Sequence, residues 1–174
     1  MTEDELRLAA AFAPRPTGGT WPLPDGTYDS AQWLDLPARA ATLDLAALER
    51  AYFAWVPRIA ADAVGPVELP GGRLSIGPLL TGARPPAIRM AAAEERASGG
   101  VRRRGRAILG GFLAGAGGEL AFELGPAPGG AGVRLRVALV GFRTRLPGPI
   151  YLATQARLHV RSTFAFLREV ANAA

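Results

Sequence analysis

Three side chains that can bind ligands or transfer protons recur at a spacing of four residues near the C-terminus. Tyr151, Gln155 and His159 lie in the segment GPIYLATQARLHVRSTFAFLREV, which contains the only histidine of the chain. A spacing of four places side chains along one stripe of a helix. The phenol, amide and imidazole could orient the polar group of a ligand or act in acid–base chemistry near neutral pH. The alternative is structural, with each group hydrogen-bonded to neighbouring protein atoms.

Two arginines, Arg143 and Arg145, come directly before this helix, which is predicted to span about residues 149–171. The N-terminus of a helix favours anions, and a guanidinium group binds carboxylate or phosphate through two parallel hydrogen bonds. Arg143 and Arg145 are therefore candidate ligand-binding residues for an anionic group. A solvated basic loop is the alternative interpretation.

A dense run of arginine occupies residues 102–106, and it could indicate a nucleic-acid-binding patch. Nucleic-acid binding by such a patch would also need interleaved aromatic residues for base stacking, which this run lacks. If the run is a strand, alternate side chains point to opposite faces, and Glu94 and Glu95 across an ASGG turn can pair with some of them. An ion-paired or solvated sheet face is therefore preferred, and nucleic acid is not an expected partner.

The composition excludes several kinds of site. The chain of 174 residues has no cysteine, which excludes disulfides and thiolate nucleophiles. With one histidine and no cysteine, no zinc site, other metal site or cofactor is expected. The first residues are acidic, and no apolar run approaches the roughly 18 residues that span a bilayer, so a cytoplasmic protein is predicted.

The charge is divided unevenly, with 7 Arg and 10 acidic residues in the first 87 positions and 13 Arg and 5 acidic residues in the remainder. This asymmetry could attract an anionic ligand or partner.

Residues 1–37 are predicted to form a short helix and an irregular arm. Thr2 and Glu5 have the spacing of a capping box at the start of a helix. The segment RPTGGTWPLPDGTYDS is rich in proline and glycine, which predicts an irregular arm with Trp21 and Tyr28 packed on the body of the protein. Residues 38–174 are predicted to form one ligand-binding domain.

The next segment, LDLAALERAYFAWVPRIAADAV, has the pattern of an amphipathic helical region capped by Asp44. Pro57 is expected to kink this segment or divide it into two helices. Its apolar residues recur at helical spacing and predict one broad face against a sheet: Leu45, Leu48, Tyr52, Trp55 and Ile59.

Short runs separated by glycine and proline then predict an antiparallel sheet. VELPGGRLSIGPLL has the pattern of a hairpin, and AIRMAAAEER and VRRRGRAILGGFLAG are predicted strands. ELAFELG and VRLRVALVGF alternate apolar and polar residues, as strands with one buried face do. Pairing these two about GPAPGGAG predicts Glu123 opposite Arg134, with Arg136 diagonal to Glu123.

This order of elements resembles the START-like or SRPBCC helix-grip superfamily over about residues 38–172. The local sequence also resembles it, in RRGRAILGGFLAGAGGELAFEL followed by VRLRVALVGFRTRLPGPIY. The resemblance implies an α+β fold in which a curved antiparallel sheet wraps around a long C-terminal helix and encloses an apolar cavity. It also implies binding of lipids, polyketides or other hydrophobic small molecules, and some members are cyclases or aromatases. A lipocalin-like or cystatin-like curved sheet is the competing fold.

Three hypotheses about function follow. The leading one is binding of a hydrophobic small molecule between the sheet and the last helix, with no membrane span and with a homodimer allowed. The second is a cyclase-type or hydro-lyase-type enzyme that uses His159 and Tyr151 as acid and base. The third is an interaction module that uses the arginine-rich sheet face.

Overall fold

A single antiparallel sheet dominates the computed structural model, which describes residues 17–59, 64–78 and 86–173. Within these residues the sheet has nine strands in the order β1-β2-β9-β8-β7-β5-β4-β3, and β6 pairs with β7. The strands are Thr17–Pro22 (β1), Tyr28–Pro37 (β2), Val64–Leu69 (β3), Arg73–Pro78 (β4), Ile88–Met90 (β5), Glu94–Ser98 (β6), Val101–Gly110 (β7), Glu119–Pro126 (β8) and Gly132–Phe142 (β9).

Three α-helices accompany the sheet in the described part of the chain: Leu45–Ile59 (α1), Gly148–Ala153 (α2) and Gln155–Ala173 (α3). Helix α3 packs against β1 and β2, whereas α1 packs against β3, β7 and β8. The sheet is curved, and the long C-terminal helix lies in its concave side. The predicted α+β class and helix-grip arrangement are therefore confirmed.

The prediction of an irregular arm is wrong for residues 17–37, because these residues form the hairpin of β1 and β2. Strand β2 pairs with β1 on one side and with β9 on the other, so it is an interior strand of the sheet. The period-2 pattern was present but disguised, since two of its inward-facing residues, Ser30 and Gln32, are polar and buried. Of the two aromatic residues expected to pack on the body, Tyr28 is buried and Trp21 is 46% exposed. The predicted helix over residues 2–12 lies outside the described residues.

Helix α1 begins where the sequence predicts. The side-chain Oδ1 of Asp44 accepts a hydrogen bond of 2.8 Å from the backbone N–H of Ala46, and its carbonyl accepts one of 3.0 Å from Leu48. The helix continues through Pro57 to Ile59, so the predicted division is not present within α1. Residues 60–63, where a second helix would begin, lie outside the described residues.

Replacing Asp44 with alanine is expected to lower the free energy of unfolding by about 1 kcal/mol, because the N–H of Ala46 loses its capping partner. Asp44→Asn retains a capping oxygen and serves as the control, with a loss of a few tenths of a kcal/mol. Urea unfolding followed by circular dichroism measures both values. Equal losses in the two variants would contradict a capping role for this side chain.

The hairpin of β8 and β9 forms as predicted, but its register differs by two residues. Glu123 lies opposite Arg136 rather than Arg134, and the Arg136 Nη1 donates to Glu123 Oε2 at 2.7 Å. The reason is the turn, in which Gly129 and Gly130 both adopt positive φ angles of 87° and 76° that glycine tolerates without strain. Arg134 pairs instead across β9 and β2, where it donates two hydrogen bonds of 2.7 and 2.9 Å to Asp35.

The other strand predictions are largely confirmed. VELPGGRLSIGP forms β3 and β4 around a 3-10 turn at Pro70–Gly72. AIRMAAAEER contributes two strands, β5 and β6, which pair with different ends of β7. Strand β7, predicted from VRRRGRAILGGFLAG, ends at Gly110.

Candidate functional site

A cavity of about 230 Å³ lies between the concave face of the sheet, α1 and the two C-terminal helices. It forms because inward-facing residues of the strands and the apolar faces of the helices line a space that none of these side chains fills. The wall residues come from the three helices, five strands and two loops: Tyr52, Phe53, Val56, Tyr151, Gln155, Leu158, His159, Ser162, Ile76, Ile88, Met90, Ile108, Leu120, Leu139, Phe142, Ala87 and Leu113. None of these side chains is an arginine, aspartate or glutamate, and the ionisable groups among them are Tyr52, Tyr151 and His159.

Tyr151, Gln155 and His159 all line this cavity, although they do not lie on one continuous helix. The prediction of a single helix over residues 149–171 is wrong, because Thr154 interrupts it with φ −121° and ψ −83°. The Thr154 hydroxyl donates a hydrogen bond of 2.6 Å to the carbonyl of Ile150. A β-branched hydroxyl residue that bonds to the preceding turn competes with regular helix geometry.

His159 is held in its neutral form by its surroundings. Burial lowers the pKa of the imidazole to about 4, because a charged ring would lose its hydration. The Nδ1 atom lies 3.5 Å from the hydroxyl of Tyr52, a long contact, and the Tyr52 hydroxyl lies 3.3 Å from Oγ1 of Thr163. The buried Nε2 atom has no hydrogen-bond partner within the part of the chain that the structure describes.

Gln155 presents a second polar group without a partner. Its side-chain Oε1 is buried and accepts no hydrogen bond from any described residue. Gln155 and His159 are four residues apart on α3, so both face the cavity from consecutive turns of the helix. The cavity wall therefore contains two polar atoms whose hydrogen-bonding capacity is unused.

Tyr151 sits in an aromatic cluster at one end of the cavity. Its ring lies 4.5 Å from that of Tyr28 and 5.6 Å from that of Phe142, measured between centroids. Burial raises the pKa of Tyr151 to about 12, so its hydroxyl stays protonated at neutral pH. The hydroxyl of Tyr52 lies 3.5 Å from the imidazole Nδ1 of His159, although the sequence placed Tyr52 only on the apolar face of α1.

Arg143 and Arg145, the other predicted ligand-binding residues, are exposed and do not line the cavity. The carbonyl of Arg143 accepts a hydrogen bond of 2.7 Å from Gly115, and the N–H of Arg145 donates one of 3.1 Å to Leu113. Their backbones thus hold the loop after β7 against the segment before α2. Their side chains are not brought together with Tyr151, Gln155 and His159.

The arginine run on β7 is divided between the two faces of the sheet, as predicted. On the convex face, Arg103 donates to Glu119 at 2.6 Å and to Glu123 at 2.5 Å. On the concave face, Arg102 donates to two backbone carbonyls. The expected pairing with Glu95 is present as a 3.7 Å contact to Arg104, whereas Glu94 pairs with Arg96.

Glu49 of α1 is the residue that the sequence analysis missed on this face. It is 2% exposed, and its two carboxylate oxygens accept hydrogen bonds of 2.6 Å from Arg104 and 2.5 Å from Arg106. Arg106 also donates to the carbonyls of Gly72 and Ala91, at 2.6 and 3.0 Å. The concave side of the arginine run is thus occupied by internal ion pairs and carbonyl contacts.

Comparisons with known proteins add a limited finding. No protein-family model matches the chain, and no curated protein matches it. Among solved structures, the crystal structure of Ara h 8.0201 is similar, with 14% sequence identity and a TM-score of 0.48. The similarity covers 86% of this chain and 100% of that chain. Among the described residues, no helix is long and apolar enough to cross a membrane.

Proposed function

We propose that the protein binds a hydrophobic small molecule in the cavity between the curved sheet and α3. The observation that supports this proposal is the cavity itself, a space of about 230 Å³ with a predominantly apolar wall. Ligand sites are typically concave and apolar, with a few polar groups that fix the orientation of the ligand. An engineered cavity of about 150 Å³ accommodates benzene, so this space suits a molecule of one or two rings. The START-like resemblance of the sequence agrees with such a role.

The structure favours binding over the acid–base alternative. A histidine whose pKa is lowered to about 4 is a weak base at neutral pH. Tyr151 is engaged with Tyr28 and Phe142 through ring contacts, and Tyr52 provides the hydroxyl beside His159. The arginine-rich face gives no better support to an interaction module, because its arginines on both sides of β7 are engaged with carboxylates and carbonyls.

Filling the cavity is expected to abolish binding. Ala87 lines the cavity in the loop before β5, and Ala87→Trp places an indole in that space. The neutral two-ring fluorescent probe 1-aminonaphthalene should bind the unmodified protein saturably at one molecule per chain, and Ala87→Trp should weaken this binding at least tenfold. A tenfold change corresponds to about 1.4 kcal/mol.

The matched control is Ala131→Trp, at an exposed position in the turn between β8 and β9. It should leave the affinity for the probe within twofold of the unmodified protein. Native mass spectrometry of freshly purified protein provides an independent measurement, since a co-purified ligand should be present and should be lost in Ala87→Trp. Absence of saturable probe binding, or equal weakening by both tryptophans, would contradict the proposal.

A further inference from the structure

The unpartnered polar atoms of the cavity restrict the chemistry of its ligand. A buried polar atom without a hydrogen bond costs about 1–3 kcal/mol, and native proteins contain few of them. Two such atoms, Gln155 Oε1 and His159 Nε2, belong to residues on consecutive turns of α3 that line the same cavity. A ligand group within hydrogen-bonding distance of both atoms would satisfy both.

Hydrogen-bond counting shows what that group must supply. Gln155 Oε1 is an acceptor and needs a donor from the ligand. If Tyr52 donates to His159 Nδ1, the proton of the neutral imidazole is on Nε2, which then needs an acceptor. If the proton is on Nδ1 instead, Nε2 needs a second donor. A ligand donor is required in both tautomers, and a hydroxyl group, which has a donor and an acceptor in one atom, satisfies both Gln155 Oε1 and His159 Nε2 in the first tautomer.

The charge of the wall points to an uncharged ligand. No arginine, aspartate or glutamate is among the described residues that line the cavity. The exposed Arg143 and Arg145, which could pair with a carboxylate or phosphate, lie outside the wall. Burying an unpaired ionised group is far more costly than burying a hydroxyl that forms hydrogen bonds.

We infer that the ligand is an uncharged alcohol or phenol whose hydroxyl binds between Gln155 and His159, with its apolar body against the sheet. This inference rests on the proposed function, since it assigns a ligand class to the same cavity. It separates the site from one for fatty acids or other carboxylates, which have no donor and carry a charge.

Three probes with one ring system test the inference at pH 7.5 by isothermal titration calorimetry. 2-Naphthol has a donor and an acceptor, 2-methoxynaphthalene has an acceptor only, and 2-naphthoate is charged. On the unmodified protein, 2-naphthol should bind at least tenfold more tightly than 2-methoxynaphthalene. 2-Naphthoate should bind at least tenfold more weakly than 2-naphthol. Binding of 2-naphthoate as tight as that of 2-naphthol would overturn the inference.

Two variants locate the effect. Gln155→Leu should reduce the preference for 2-naphthol over 2-methoxynaphthalene to within twofold. Gln32→Leu makes the same change at the other glutamine of the chain, which is buried on β2 and does not line the cavity, and it should retain the preference. Because the probe series is measured first on the unmodified protein, the inference remains testable if a variant fails to fold.

The outcomes separate the two proposals. If 2-methoxynaphthalene binds and 2-naphthol binds no more tightly, the hydroxyl site is wrong and the apolar cavity stands. If none of the three probes binds, both the binding function and the hydroxyl site are wrong.

Discussion

Replacing Glu49 with leucine is expected to lower the free energy of unfolding by about 3–5 kcal/mol. The carboxylate of Glu49 is 2% exposed and is bonded to both Arg104 and Arg106. Arg106 is itself only 9% exposed, so removal of the carboxylate leaves a buried guanidinium without a counter-charge. Breaking one side of a buried ion pair is strongly destabilising because the remaining charge has lost its hydration and has no counter-charge.

The position of Arg106 extends the effect beyond one pair. Its guanidinium also donates to the carbonyls of Gly72, in the turn between β3 and β4, and of Ala91, between β5 and β6. Glu49 therefore holds in place the arginine that connects α1, β7 and these two chain segments. We expect the Glu49→Leu variant to lose stability in this end of the sheet as well as in α1.

Urea unfolding followed by circular dichroism measures the loss, with Glu94→Leu as the matched control. Glu94 pairs with Arg96 at the surface, where both side chains are exposed, and its replacement should change stability by about 0.5 kcal/mol or less. The triple variant with Glu49→Leu, Arg104→Met and Arg106→Met removes all three charges and should regain most of the loss. Equal effects of Glu49→Leu and Glu94→Leu would show that Glu49 is solvated.

The elements that the sequence predicted well are those in which burial follows a simple period. The alternation in β8 and β9 identified both strands, and Asp44 identified the start of α1. Strand β2 was missed because buried polar residues interrupt its apolar alternation. Within that strand, the amide nitrogen of Gln32 donates to the carbonyl of Gly19 at 3.2 Å and to Ser30 at 2.9 Å, so this donor is satisfied within the β1–β2 hairpin.

The local sequence pattern could not predict which residues far apart in the chain pair with each other. Glu49 lies between Leu48 and Tyr52 and so falls on the apolar face of α1, a local signal that its carboxylate is buried. Its partners are more than fifty residues away on β7, and only the packing of α1 on the sheet brings them together. The predicted partner of Glu123 was wrong for a related reason, because the register of β8 and β9 depends on which glycines form the turn between them.

The sequence likewise predicted some residues of the candidate site and missed others. The spacing of Tyr151, Gln155 and His159 identified three residues that line one cavity. The sequence did not identify Tyr52, which approaches His159 from a helix 107 positions earlier in the chain. It also placed Arg143 and Arg145 near a helix N-terminus, without showing that the helix is short and that both side chains remain exposed.

Stability is expected to fall by about 3 kcal/mol as the pH decreases from 7 to 4, through His159 alone. Folding lowers the pKa of this imidazole from 6.5 to about 4 through burial. Between these values the unfolded chain binds a proton that the folded chain does not bind. Protons therefore favour the unfolded state, and the stabilising contribution is complete above pH 6.5 and is lost as the pH falls toward 4.

The measurement compares the unmodified protein with His159→Gln by urea unfolding at intervals from pH 4 to pH 7. Carboxylates also titrate in this range, but their effects are common to both proteins and cancel in the difference. As the pH falls from 7 to 4, the unmodified protein should lose about 3 kcal/mol more stability than His159→Gln, with most of this change below pH 6. NMR provides a direct test, since the chain has one histidine and its imidazole resonance should keep its neutral position at pH 5.5. Parallel stability curves, or an imidazole that titrates near 6.5, would show that water reaches the ring in the folded protein.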